Sequence, residues 1–134
     1  MTEYSPAESV KLIFSGNDFF ETLETYIDNA KEIIHFQIYI FEEDETGSKI
    51  ADALMRASKR GVAIFLLVDA YGSKDLSIEF IKKLQEGNIQ FRFFSPLFSK
   101  ESIYMGRRLH HKVIVIDKTI AIVGGINIGD KHHP

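Results

Sequence analysis

The stretch His110-His111-Lys112-Val113-Ile114-Val115-Ile116-Asp117, which runs on to Gly124-Gly125-Ile126-Asn127, decides how this chain is read. The β-branched run before Asp117-Lys118 and the second run after it predict two strands, Leu109 to Ile116 and Thr119 to Val123. A tight turn at Asp117-Lys118 joins them into an antiparallel hairpin. Side chains alternate along a strand, so His110 and Lys112 share one face and His111 points to the other. An imidazole and an ammonium one pleat apart make a compact anion site. Neutral histidine can attack phosphorus, and lysine can balance charge on the equatorial oxygens. Gly124 and Gly125 allow close backbone approach, so the Asn127 amide is expected to reach the same pocket. Asp117 has the opposite parity to Lys112 and sits at the turn, which suits a structural role. This is equipment for phosphodiester chemistry.

Working upstream, helix and strand signals alternate. Val10 to Phe14 is a short strand candidate, and Gly16-Asn17 marks a turn and a helix N-cap. Phe19, Leu23, Tyr26, Ile27 and Ala30 recur at helical spacing, which predicts a helix from Asp18 to Lys31. Ile33 to Phe41 reads as a buried strand, and Glu42 to Glu45 as a solvated acidic loop. Ser48 to Arg60 is a helix that stops at Gly61, followed by a strand over Val62 to Val68. Asp75 or Ser77 can cap a helix that runs to Glu86, with Glu79/Lys83 as an i,i+4 pair; Ile89 to Phe94 is the next strand. This order predicts an α/β fold: a mixed, mostly parallel sheet flanked by helices and ending in the antiparallel hairpin. Pro96 to Arg108 reads as an irregular loop, and nothing in the chain marks a linker or a second domain.

A chain of 134 residues with 45% hydrophobic content and eleven phenylalanines is one folded domain's worth. Its net charge of -3 offers no global attraction to polyanions, so anion binding must be local and nucleic acid is not favoured. Cysteine is absent, which excludes disulfides, thiolate metal sites and a cysteine nucleophile. No apolar run is long enough to span a bilayer, so the chain itself is expected to be soluble.

The full pattern H-x-K-x4-D-x6-G-G-x-N, with Asn127-Ile128-Gly129-Asp130 following, resembles the HKD motif of the phospholipase D superfamily. The similarity is tightest with bacterial cardiolipin synthases. It extends through Tyr39-Ile40-Phe41, Gly47, Arg60-Gly61-Val62, Leu67-Val68-Asp69 and Tyr71-Gly72-Ser73. The resemblance implies an α/β/α sandwich half-domain over residues 1–134, the first of two catalytic halves, truncated at its C-terminus. It implies a phosphatidyltransferase acting through a covalent phosphohistidine, with catalytic residues His110, Lys112 and Asp117. The substrate phosphate would be bound by Lys112, Asn127 and Gly125. No metal or other cofactor is implied. The partners implied are a phosphatidylglycerol-like phospholipid and a second HKD half, from the same parent chain or from a homodimer partner. The parent would lie at the cytoplasmic face of a bacterial membrane, and the half-site alone is expected to be inactive.

Two other functions fit parts of the pattern. One is a single-motif homodimeric phosphodiesterase or nuclease; the other is a non-catalytic domain that binds phospholipid or protein. Several features carry plainer explanations. Arg107 and Arg108 read as a solvated loop, although guanidinium groups could steer a phosphate headgroup. His111 suits packing or second-layer hydrogen bonding. Leu97 and Phe98 could meet acyl chains, and Lys131-His132-His133-Pro134 reads as a frayed terminus.

Overall fold

In the computed structural model, residues 16–94, 112–124 and 128–130 are described. The elements run α1 (Gly16–Asn29), β1 (Ile33–Ile38), α2 (Glu45–Lys59), β2 (Ala63–Asp69), α3 (Ile78–Glu86), β3 (Ile89–Phe94), β4 (Lys112–Ile116) and β5 (Ile120–Gly124). The expected strand at Val10 to Phe14, residues 95–111, and Lys131 to Pro134 lie outside the described residues.

The strands form one sheet in the order β3-β2-β1-β4-β5. β1 pairs in parallel with β2, and β2 with β3; β4 is antiparallel to both β1 and β5. The expected mixed sheet with a terminal hairpin is therefore present, with parallel and antiparallel pairings equal in number rather than mostly parallel. One parity of each inner strand is buried beneath the helices: Ile34, Phe36 and Ile38 of β1, Ile64, Leu66 and Val68 of β2, and Ile114 and Ile116 of β4. Phe19, Leu23 and Ile27 of α1, Ile50, Leu54 and Ala57 of α2, and Phe80 and Leu84 of α3 complete this core. The described helices thus form a single layer. The other face carries His35, Gln37, Gln90 and Arg92 in the open, with Phe65, Leu67, Val113 and Val115 half-buried.

Several boundaries depart from the sequence reading, each for a polar reason. α1 ends at Asn29, not Lys31. The Arg60 guanidinium donates to the Ile27 and Ala30 carbonyls at 2.7 and 2.9 Å, closing the helix end from another element. α2 starts at Glu45, inside the acidic turn, because Asp44 is its N-cap and accepts the Gly47 N–H at 2.9 Å. Ser77, not Asp75, caps α3 by accepting the Phe80 N–H. Lys83 reaches across to Asp52 at 3.3 Å, an ion pair between two helices. β1 ends at Ile38 because the backbone from Tyr39 to Glu42 takes other partners. The Phe41 N–H donates to Ser73 Oγ, Glu42 N–H to the Ile128 carbonyl, and Ile128 N–H to the Ile40 carbonyl.

Candidate functional site

The carboxyl ends of β1, β2 and β3 lie at one end of the sheet. β4 runs antiparallel to β1, so its first residue, Lys112, and the last residue of β5, Gly124, lie at that same end, paired with each other. In open α/β sheets this is the end where ligands bind. Lys112 shares its strand face with Ile114 and Ile116, is half-buried, and is the one residue of the expected catalytic set described at this end. Its ammonium sits over the Tyr39 ring, 5.7 Å from the centroid. Among the described residues it forms no ion pair.

Tyr39 is braced from the β2–α3 loop. Ser73 is buried, and its hydroxyl donates to the Tyr39 carbonyl at 3.1 Å while accepting the Phe41 N–H at 2.9 Å. The Asp69 carboxylate, fully buried at the end of β2, accepts the Tyr71 and Gly72 N–H groups at 3.0 and 2.9 Å. Gly72 then packs against Tyr39: a Cβ there would fall 2.7 Å from the Tyr39 carbonyl oxygen and 3.2 Å from its Cζ. Composition and periodicity did not single out these residues. The signal available was the short Tyr71-Gly72-Ser73 run directly after a buried strand.

A second set of contacts ties residues 128–130 to the acidic turn. Phe41 and Ile128 form a parallel bridge. Asp44 accepts the Asp130 N–H at 2.8 Å, and Asp130 in return accepts the Thr46 N–H at 2.8 Å. The Thr46 hydroxyl, then its N–H, hold the Asp130 carboxyl below the usual carboxylate range. The turn expected to be merely solvated thus anchors the segment one residue beyond Asn127.

Asp117 lies at the far end of β4. It is five residue steps along the strand from Lys112, roughly 17 Å at about 3.4 Å per residue. Its carboxylate accepts three backbone N–H groups, from Lys31 at 2.9 Å, Glu32 at 2.7 Å and Ile33 at 3.0 Å. Burial pushes this carboxyl up, but the hydrogen bonds outweigh it and hold the group below its ordinary value. Asp117 is therefore not brought together with Lys112, and its contacts are those of a framework residue. At Gly124 a Cβ would meet nothing within 4 Å among the described residues. His110, His111, Gly125, Asn127, Arg107 and Arg108 lie outside the described residues. Among the described residues no cluster of His, Asp and Glu has the arrangement of a metal site, and no helix is long and apolar enough to cross a membrane.

A family model described as "Cardiolipin synthase, PLD-like domain" matches residues 23–133. A cardiolipin synthase of Clostridium perfringens is 37% identical over 130 residues, which is 96% of this chain and 27% of that protein. Among solved structures, the phospholipase D family member Nuc of Salmonella typhimurium superimposes with a TM-score of 0.64 at 25% identity, covering 84% of this chain and 66% of that one. Phosphatidylserine synthase of Haemophilus influenzae has the same fold, with a TM-score of 0.71 at 21% identity over 90% of this chain and 28% of that one. The chain thus spans about 27% of the length of the cardiolipin synthase it matches. With the family model covering most of the chain and the sheet end that presents Lys112 built on the same fold, the chain belongs to the cardiolipin synthase group of phospholipase D-like domains.

Proposed function

We propose that this chain supplies one half of a phosphatidyltransferase active site of the cardiolipin synthase type. The supporting observation is the unbroken His110-Lys112-Asp117-Gly124-Gly125-Asn127 pattern in a chain 37% identical to a cardiolipin synthase across 96% of its length. His110 is assigned the attack on phosphorus, or the protonation of the leaving alkoxide when the other half supplies the nucleophile. In the first step the histidine nitrogen bonds to phosphorus, and the phosphorus–oxygen bond to the departing alcohol breaks. In the second step the acceptor alcohol attacks the phosphohistidine, loses its proton to the other histidine and frees the first. Lys112 balances charge on the equatorial oxygens, and Asn127 with the Gly125 backbone binds a phosphate oxygen. Asp117 is assigned to the framework, holding the start of β1 to the hairpin, not to the reaction. The donor and acceptor proposed are phosphatidylglycerol-like lipids at a membrane surface, and the second half comes from the same parent chain or a second copy.

Transfer between phosphatidylglycerol molecules in vesicles, measured with the complete gene product, tests this. His110→Ala should abolish transfer; full transfer by that variant would sink the catalytic assignment. The rival homodimeric phosphodiesterase predicts a dimer of the 134-residue chain with diesterase activity on its own. A half-site completed from the same parent chain predicts negligible turnover by the 134-residue chain.

A further inference from the structure

We propose that Tyr39 is a positioning residue for Lys112: its ring face holds the ammonium at the phosphate site without neutralising it. This rests on the reading of Lys112 as a phosphate-binding group.

A lysine ammonium is a compact cation on a flexible four-carbon stem, so a lysine that must meet a phosphate needs something to hold its head group. A carboxylate would hold it, but would also compete with the phosphate for its charge and its three N–H donors. An aromatic face does neither. The attraction is to the ring quadrupole, and the donors remain available to an incoming anion. Lys112 has this second arrangement, with its ammonium 5.7 Å from the Tyr39 centroid and no ion pair among the described residues.

A ring can position a cation only if the ring itself is fixed. The β2–α3 loop does this from below. The buried Asp69 carboxylate holds the Tyr71 and Gly72 amides, and Ser73 holds the Tyr39 carbonyl. Position 72 has no room for a side chain, which brings the loop backbone flush against the tyrosine. The linked set Asp69–Gly72–Ser73, Tyr39 and Lys112 joins the ends of β2, β1 and β4 into one support for the phosphate. It also gives the Tyr71-Gly72-Ser73 run a task that packing alone does not explain.

The test replaces Tyr39 in the complete gene product with phenylalanine, then with phenylalanines of one, two and three ring fluorines. Fluorine drains the ring quadrupole and hardly changes its shape. Tyr39→Phe should keep kcat/KM within about threefold. Progressive fluorination should lower it steadily, by roughly three- to thirtyfold over the series, with the denaturation midpoint unchanged. A flat series overturns the proposal. So does a loss that follows the denaturation midpoint and not the fluorine count. Lys112→Ala is run alongside. If it keeps full activity, the phosphate reading of Lys112 fails and the proposal falls with it. If it loses activity while the fluorine series is flat, that reading stands and only the role of Tyr39 is refuted.

Discussion

Replacing Asp117 should unfold this domain more readily, and the size of the effect follows from three hydrogen bonds and one dihedral angle. The carboxylate accepts the N–H groups of Lys31, Glu32 and Ile33. A net hydrogen bond to a charged group contributes about 1.5–3 kcal/mol. Lys31 and Glu32 are exposed, so water replaces the carboxylate there at little cost; the part-buried Ile33 bond counts in full. Asp117 also has φ +54°, a left-handed conformation that aspartate tolerates and alanine accepts only at about 1 kcal/mol. Asp117→Ala should therefore destabilise by about 3 kcal/mol, a fall in Tm of roughly 10 °C for a domain of this size. Asp117→Gly removes the carboxylate but not the conformational fit, and should recover about 1 kcal/mol. The pH dependence has a definite sign. The folded carboxyl is held below its ordinary value, so its stabilisation is complete above the unfolded value near about 3.9 and is lost as pH falls through the folded value. The wild-type and Asp117→Ala curves should run parallel from pH 7 to about pH 5 and draw together below about pH 4, to the roughly 1 kcal/mol left by the dihedral angle. Urea denaturation followed by circular dichroism measures all of this. A difference under about 0.5 kcal/mol at pH 7, or a gap that widens in acid, would refute the reasoning.

Other consequences follow from the same contacts. Asp44→Ala should cost about 1–2 kcal/mol in a denaturant titration, because it removes the α2 cap and the acceptor for the Asp130 N–H, and Asp44→Ser should restore the cap alone. Lys118 has φ +62°, so Lys118→Gly should raise stability by up to about 1 kcal/mol, read as an increase in Tm; a decrease would contradict the assigned turn. Phe36→Ala, at the fully buried centre of β1, should cost about 3–5 kcal/mol, read in a thermal melt as a fall in Tm of roughly 10–17 °C. The half-exposed apolar residues opposite the helices, with Val123 73% exposed, should let the isolated 134-residue chain self-associate; Val123→Lys should weaken this in sedimentation, and a strict monomer at high concentration would dismiss it.

Element types and core residues were legible in the chain because they depend on local periodicity. Phe19, Leu23 and Ile27 on α1, or Ile34, Phe36 and Ile38 on β1, repeat at the spacing of their own element. The hairpin was legible for the same reason, and with it the placing of Asp117 away from Lys112. The ends of elements were not. α1 stops because Arg60 takes its last carbonyls and Asp117, more than eighty residues on, takes the amides that follow. A window of neighbouring residues contains neither partner.

The sequence by itself determined the fold class and the pattern that points to phosphodiester chemistry, because residue spacing on a strand decides which side chains share a face. Only the tertiary structure decided what surrounds Lys112. The parallel order of β1, β2 and β3 brings Tyr39 and the Asp69–Ser73 loop to the end where antiparallel β4 begins. The ring beneath the ammonium comes from a residue 73 positions away (112 less 39), and that distance closes only when the sheet forms.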